Sequence, residues 1–139
     1  MKKTTNYLLI IGLSLLSMNC KKKDSTPPDT RINLTGTWDA TGYQCTSGVI
    51  IPSEEISIIH NLGSGDITAT KVTGDDCVTA GNITFSGIYN GSTTSFPATF
   101  VTGSVAAPNS STTNSTIVVT NSKSLTTTFG TETITYAKR

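Results

Sequence analysis

Ser124-Leu125-Thr126-Thr127-Thr128-Phe129-Gly130-Thr131-Glu132-Thr133-Ile134-Thr135-Tyr136-Ala137 is the stretch that decides the fold of this chain. Leu125, Thr127 and Phe129 recur every second residue, and so do Ile134 and Tyr136. That two-residue period marks strands with one face buried. Between the runs stands Gly130-Thr131, where glycine accepts the positive φ of a tight hairpin turn. Strands joined by so short a connection are antiparallel neighbours.

The same grammar extends back through the chain. β-branched and aromatic residues alternate, with Gly, Asn, Asp, Ser and Pro between them, which predicts strands over 34–43, 55–60, 66–72, 82–89, 95–105, 115–120, 124–129 and 132–137. Leu34, Gly36, Trp38 and Ala40 share one face, as do Ile83 and Phe85, and Phe96, Ala98 and Phe100. Asn90-Gly91 reads as a second tight turn, and 106–114 as a Ser/Thr-rich loop. After residue 31 no stretch of ten or more residues carries a 3.6-residue apolar period, so no helix is expected. Ser and Thr together number 43 of 139, so strong helix formers are scarce. The expected fold is all-β: a small antiparallel up-and-down barrel of eight strands, wide enough to be filled by side chains or to hold one small ligand. A two-sheet β-sandwich is the alternative.

The first 31 residues follow a different pattern. Met1-Lys2-Lys3 precedes an apolar run from Tyr7 to Met18, shorter than the roughly 20 residues that span a bilayer. It reads as a signal peptide over 1–19. Leu16-Ser17-Met18-Asn19-Cys20, followed at once by Lys21-Lys22-Lys23, resembles a bacterial lipoprotein signal, in which the cysteine is acylated and becomes the mature N-terminus. The resemblance implies lipidation at Cys20 and anchoring without a transmembrane helix. Lys21 is not the Asp that favours inner-membrane retention, so the implied destination is the outer membrane, in its periplasmic or its surface leaflet. Residues 20–31, with Pro27-Pro28 and no apolar period, form a tether whose three lysines can meet anionic headgroups. Asp24-Ser25-Thr26 has the form of a bacterial O-glycosylation acceptor. Residues 32–139 form the single domain. Over 31–139, five bases face seven acids, a balance that speaks against a nucleic-acid partner.

Leu34-Thr35-Gly36-Thr37-Trp38 resembles the first-strand signature of lipocalin-like barrels. The resemblance implies that Trp38 plugs one barrel end and that a base near the C-terminus, Arg139 or Lys138, crosses it by cation–π contact. Trp38 is the only tryptophan, so the further tryptophans of avidin-type biotin sites are missing. Residues 66–85, DITATKVTGDDCVTAGNITF, look like a segment of certain plant F-box and chloroplast Executer proteins, departing from it at Cys77 and Thr79. The residues themselves suggest strand, polar turn and strand, with Lys71 placed to neutralise Asp75 or Asp76.

With Cys20 reserved for lipid, Cys45 and Cys77 are an even pair in an oxidising compartment and are expected to form a disulfide, with 46–53 folded across the barrel mouth as a lid. Cys45, Cys77 and His60 as metal ligands lack the short spacing of such sites, and His60 reads as a strand-end histidine. Glu54 and Glu55 point to opposite faces of a strand and cannot flank one substrate. No nucleophile elbow, phosphate loop or dinucleotide fingerprint occurs. No cofactor, metal or catalytic residue is implied. The expected function is that of a membrane-anchored exported lipoprotein whose barrel binds a small apolar ligand or serves as an accessory module. The alternative is a filled barrel that acts through its surface.

Overall fold

Eight strands, and no helix, make up the domain in a computed structural model that describes residues 29–44, 50–75, 77–104, 106–129 and 132–139. They are β1 (Gly36–Gln44), β2 (Ile50–His60), β3 (Asp66–Lys71), β4 (Ile83–Ile88), β5 (Ser95–Ser104), β6 (Ala107–Asn121), β7 (Ser124–Phe129) and β8 (Glu132–Lys138). Each strand pairs antiparallel with its sequence neighbours, and β1 also pairs with β8 through Trp38 opposite Lys138 and Thr41 opposite Thr135. The sheet is therefore a closed up-and-down barrel rather than a sandwich. Phe129 faces Glu132, which leaves two residues for the β7–β8 connection, as the opening stretch of sequence requires.

Three boundaries differ from expectation. β6 begins at Ala107, so 107–114 are the first half of a long strand and not a loop. These residues pair with β5, Thr102 opposite Ser111 and Thr99 opposite Asn114, whereas the β6–β7 ladder runs only from Ile117. The partner strand overrides the low intrinsic preference of Ser and Asn. β2 begins at Ile50, with Tyr43 opposite Ile51 and Thr41 opposite Ser53. Residues 50–53 thus extend the barrel wall instead of crossing its mouth, and 46–49 lie outside the described residues. Finally, β4 and β5 are joined by residues 89–94, not by a two-residue turn. Gly91 has the positive φ expected of it, 82°, while Asn90 Oδ1 accepts from the Ser92 and Thr93 amides and shapes a wider loop.

Alternation gives the barrel two ends. At one, the chain arrives from residue 29 and the connections 61–65, 89–94 and 122–123 gather; we term it the tether end. The other, the lid end, carries the β3–β4 connection, 72–82. The tether end is closed by the segment before β1. Leu34 is fully buried, its amide donates to His60 Nδ1 (3.3 Å), and its carbonyl accepts from Trp38 Nε1 (2.9 Å). His60 Nε2 donates to the Tyr89 carbonyl at 2.9 Å, which makes this histidine the neutral Nε2–H tautomer with both nitrogens satisfied.

Trp38 is fully buried where the sequence places it. Of the two candidate bases, Lys138 crosses it, Nζ lying 5.7 Å from the ring centroid. Arg139 turns instead to Asp39 and Glu55 on the outer face. Gly36 makes the Lys138 position available, since a Cβ there would stand 2.6 Å from Lys138 Cε. Deeper in, Phe85 meets Phe100 at 5.2 Å and Tyr136 at 5.7 Å between centroids, and Tyr89 meets Phe96 at 5.1 Å. Ile56, Ile58, Ile117, Leu125 and Ile134 fill the space between them. Replacing Trp38 with Ala is expected to cost about 3–5 kcal/mol, the range for truncating a buried aromatic. Urea unfolding followed by circular dichroism checks this, and a loss below about 1 kcal/mol would place Trp38 outside the core.

Candidate functional site

The lid end holds the most unusual chemistry among the described residues. Along β2, Glu54, Ile56, Ile58 and His60 share the inward face, and along β3 Ile67, Ala69 and Lys71 do so. The alternation that buries apolar residues therefore also carries Glu54 inside within β2 and Lys71 inside at the end of β3. Lys71 has no exposed side chain, and Glu54 only 1%. The ammonium forms ion pairs with Glu54 Oε2 and with Asp75 Oδ2.

Asp75 belongs to the lid. Its Oδ1 accepts from the amides of Cys77 (2.8 Å) and Val78 (2.9 Å), a turn in which the side chain stands in for a backbone acceptor. Gly74 permits the tight return, because a Cβ there would lie 2.6 Å from the Ala80 amide nitrogen. This turn drives Cys77 and Val78 into the core, both fully buried. On one side the lid is fixed to β2 by the Val72 amide on the Glu55 carbonyl (2.9 Å). On the other side Asn109 of β6, at φ 58°, donates its amide to the Cys77 carbonyl (2.9 Å) and accepts the Thr79 amide on Oδ1 (3.2 Å). Among the described residues the mouth is thus covered by the 72–82 connection, while 50–53 continue the wall. The stretch 66–85 supplies β3, this lid and the start of β4, and Lys71, Gly74, Asp75, Val78 and Phe85 all serve the closure.

Two carboxylates share one buried ammonium, so the cluster carries a net negative charge when every member is ionised. Burial pushes the Glu54 carboxyl above the usual range, and Lys71 offsets this only in part. Burial acts the same way on Asp75, but hydrogen bonds from Lys71, Val78 and Cys77 outweigh it and hold Asp75 below its ordinary value. Lys71 is raised, because Glu54 and Asp75 together overcome a burial effect that favours the neutral amine. Glu54 Oε1 is buried with no hydrogen-bond partner. Glu54 is therefore the member that takes up a proton first as pH falls.

Glu55 faces outward, as its adjacency to Glu54 requires. It stands opposite Asp39, and Arg139 neutralises this like-charged pair with Nε on Asp39 Oδ2 (2.9 Å) and Nη1 on Glu55 Oε2 (2.8 Å). Asp39, Thr41, Glu54, Thr73, Asp75 and Arg139 border an open cleft of about 470 Å³. His60 at the tether end and Cys77 at the lid end are kept apart, so the Cys45–Cys77–His60 metal set is not assembled. Among the described residues no group of three or more His, Cys, Asp or Glu is arranged to hold a metal ion. Cys20, Cys45 and Asp76 lie outside the described residues, as does Asp24-Ser25-Thr26. The sequence identified Lys71 and Asp75 but missed Glu54, whose signal was its parity with Ile56 and Ile58. No protein-family model matches the chain, and no curated protein matches it.

Replacing Lys71 with Met leaves Glu54 and Asp75 without their counter-charge and is expected to cost about 3–5 kcal/mol. Adding Glu54→Leu to that variant should recover part of the loss, and a double variant no more stable than Lys71→Met would show that Glu54 is not coupled to Lys71. The pH dependence has two signs. Glu54, raised in the fold, contributes stability that is complete below its ordinary value of 4.5 and is lost as pH rises through the folded value. Asp75, lowered, contributes stability present above 3.8 and lost as pH falls through its folded value. Urea midpoints should therefore peak on the acid side of neutrality, and Glu54→Gln should flatten the decline above the peak while leaving the acid limb. A variant that keeps the wild-type profile would exclude Glu54 as its source.

Proposed function

We propose that the protein is an exported lipoprotein, held at the outer membrane through an acylated Cys20, that presents a side-chain-filled barrel as a non-enzymatic accessory module and meets its partners on the outer surface. The observation that carries this choice over a ligand-filled barrel is the interior. Trp38, Phe85, Phe100, Tyr136 and the β-branched residues around them occupy the space a small apolar ligand would need, and both mouths are crossed by chain, residues 31–35 at one and 72–82 at the other. The signal pattern before Cys20 supports export and acylation. Acyl chains then supply anchoring at about 0.8 kcal/mol per buried methylene.

A Cys45–Cys77 disulfide is part of the same proposal. Cys77 is fully buried in the lid, and Cys45 follows Gln44, the last residue of β1 at the same barrel end. A bridge between them closes a loop of about 30 residues and would stabilise the domain by roughly 3–4 kcal/mol in the chain-entropy model.

Native mass spectrometry of protein purified from its host membrane is expected to show acyl mass on the N-terminal cysteine and no retained small molecule. A stoichiometric apolar ligand would overturn the filled-barrel proposal. Cys20→Ser should abolish incorporation of labelled palmitate and release the protein from the membrane fraction. Thiol counting on the denatured, unreduced mature protein should find no free thiol, and two free thiols would remove the bridge.

A further inference from the structure

Charge and exposed apolar surface are distributed unevenly between the two barrel ends. Arg31, Lys123 and Lys138, three of the five bases in residues 29–139, lie at the tether end, whereas Arg139 turns its guanidinium along the wall toward the lid. Two acids stand with them: Asp29 is paired with Arg31, and Asp66 accepts a hydrogen bond from Ser64 Oγ. Glu54, Asp75 and Glu132 are at the lid end, and Asp39 and Glu55 sit on the wall under Arg139.

The most exposed large apolar side chains are also near the tether end. Ile59 is 65% exposed and Ile88 66%. Ile59 is one residue from the end of β2, and Ile88 is the last residue of β4. They flank β3 on its outer side, Ile59 opposite Thr68 and Ile88 opposite Asp66. Val118, 45% exposed, pairs with Ser95 at the start of β5, near the same end. Val72 and Ile83 are exposed near the lid end, but less so than Ile59 and Ile88, at 45% and 43%. The chain arrives at the tether end firmly fixed, since Arg31 Nη1 donates to the Leu62 carbonyl (2.6 Å) and the Ile32 amide to the Gly91 carbonyl (2.7 Å). Eight residues lie between Cys20 and Asp29, and an extended chain covers at most about 3.5 Å per residue step, so an acylated Cys20 keeps this end within roughly 30 Å of the bilayer.

We propose that the tether end of the barrel docks on an anionic lipid surface, with Arg31, Lys123 and Lys138 at the headgroups and Ile59 and Ile88 at the interface beneath them. The proposal rests on anchoring through Cys20, which brings this end to the membrane and leaves the lid end facing away. Its basis is complementarity: bases attract anionic headgroups, branched apolar side chains partition into the interface, and a short tether removes most of the entropy of encounter. Each base near such a surface shifts the docked fraction about fivefold, an effect that salt weakens.

The test is hydrogen exchange on the full chain purified from its membrane, in phosphatidylcholine vesicles with and without phosphatidylglycerol, with the intact mass read on the same sample. Amides in 59–65, 88–94 and 121–124 should be protected only when phosphatidylglycerol is present and less so at high salt, while those in 72–82 exchange unchanged. Lys123→Gln should lower the docked-to-free ratio about fivefold. Ile59→Ser with Ile88→Ser, at exposed positions that leave the fold intact, should abolish the protection. Equal exchange in both vesicles, protection confined to the lid end, or protection that follows a co-purifying protein rather than the lipid would overturn docking. An acylated but unprotected protein refutes docking alone. An unacylated one refutes the anchor, and exchange with added anionic vesicles then decides docking on its own.

Discussion

A lysine with no exposed side chain imposes a severe constraint on everything near it. Moving an ammonium out of water is costly, and the barrel interior offers no solvent to make up the difference. Lys71 stays because two carboxylates from different parts of the chain converge on it, Glu54 from the second strand and Asp75 from the loop that follows its own strand. Asp75 can reach it only if the loop turns back on Gly74, and that turn in turn buries Cys77 and Val78. The geometry of the lid follows from satisfying one charge.

The two mouths are closed by different means. At the tether end the closure is apolar and neutral: Leu34 inserted, Trp38 beneath it, and His60 satisfied on both nitrogens. At the lid end it is ionic. An ionic closure depends on pH and tolerates few substitutions, because removing one member strands the others in a poorly solvated site. An apolar closure tolerates shape-preserving changes. The domain thus couples a permissive end to a demanding one.

Much of this architecture was legible in the residues. Strand number, hairpin order, the buried faces of Trp38, Phe85, Phe100 and Tyr136, and the Lys71–Asp75 contact all follow from alternation and turn chemistry. What was not legible depends on partners distant in sequence. Residues 108–114 are Ser, Thr, Asn and Pro, a loop composition in isolation, and only the neighbouring β5 makes them a strand. Residues 50–53 were expected in a lid, yet the β1 ladder continues on both sides of Pro52. Glu54 was read for what it could do with Glu55, when its parity with Ile56 already placed it inside. Arg139 and Lys138 were equivalent by position, and the close approach that Gly36 allows selects Lys138.

The overhang of β6 beyond β7 bears on how such domains survive crowding. An unpaired strand edge is a template onto which another molecule can add, and the hazard grows when many copies share one surface. Here the exposed edge is blunted from within. Pro108 has no amide hydrogen to offer, and Asn109 breaks the extended path at φ 58° and spends its amide on Cys77. The residues that follow, 110–114, are polar and lack the apolar ladder that stabilises cross-β stacking. The bond that fastens the lid therefore also removes a sticky edge, so closure of the fold and resistance to aggregation depend on the same asparagine.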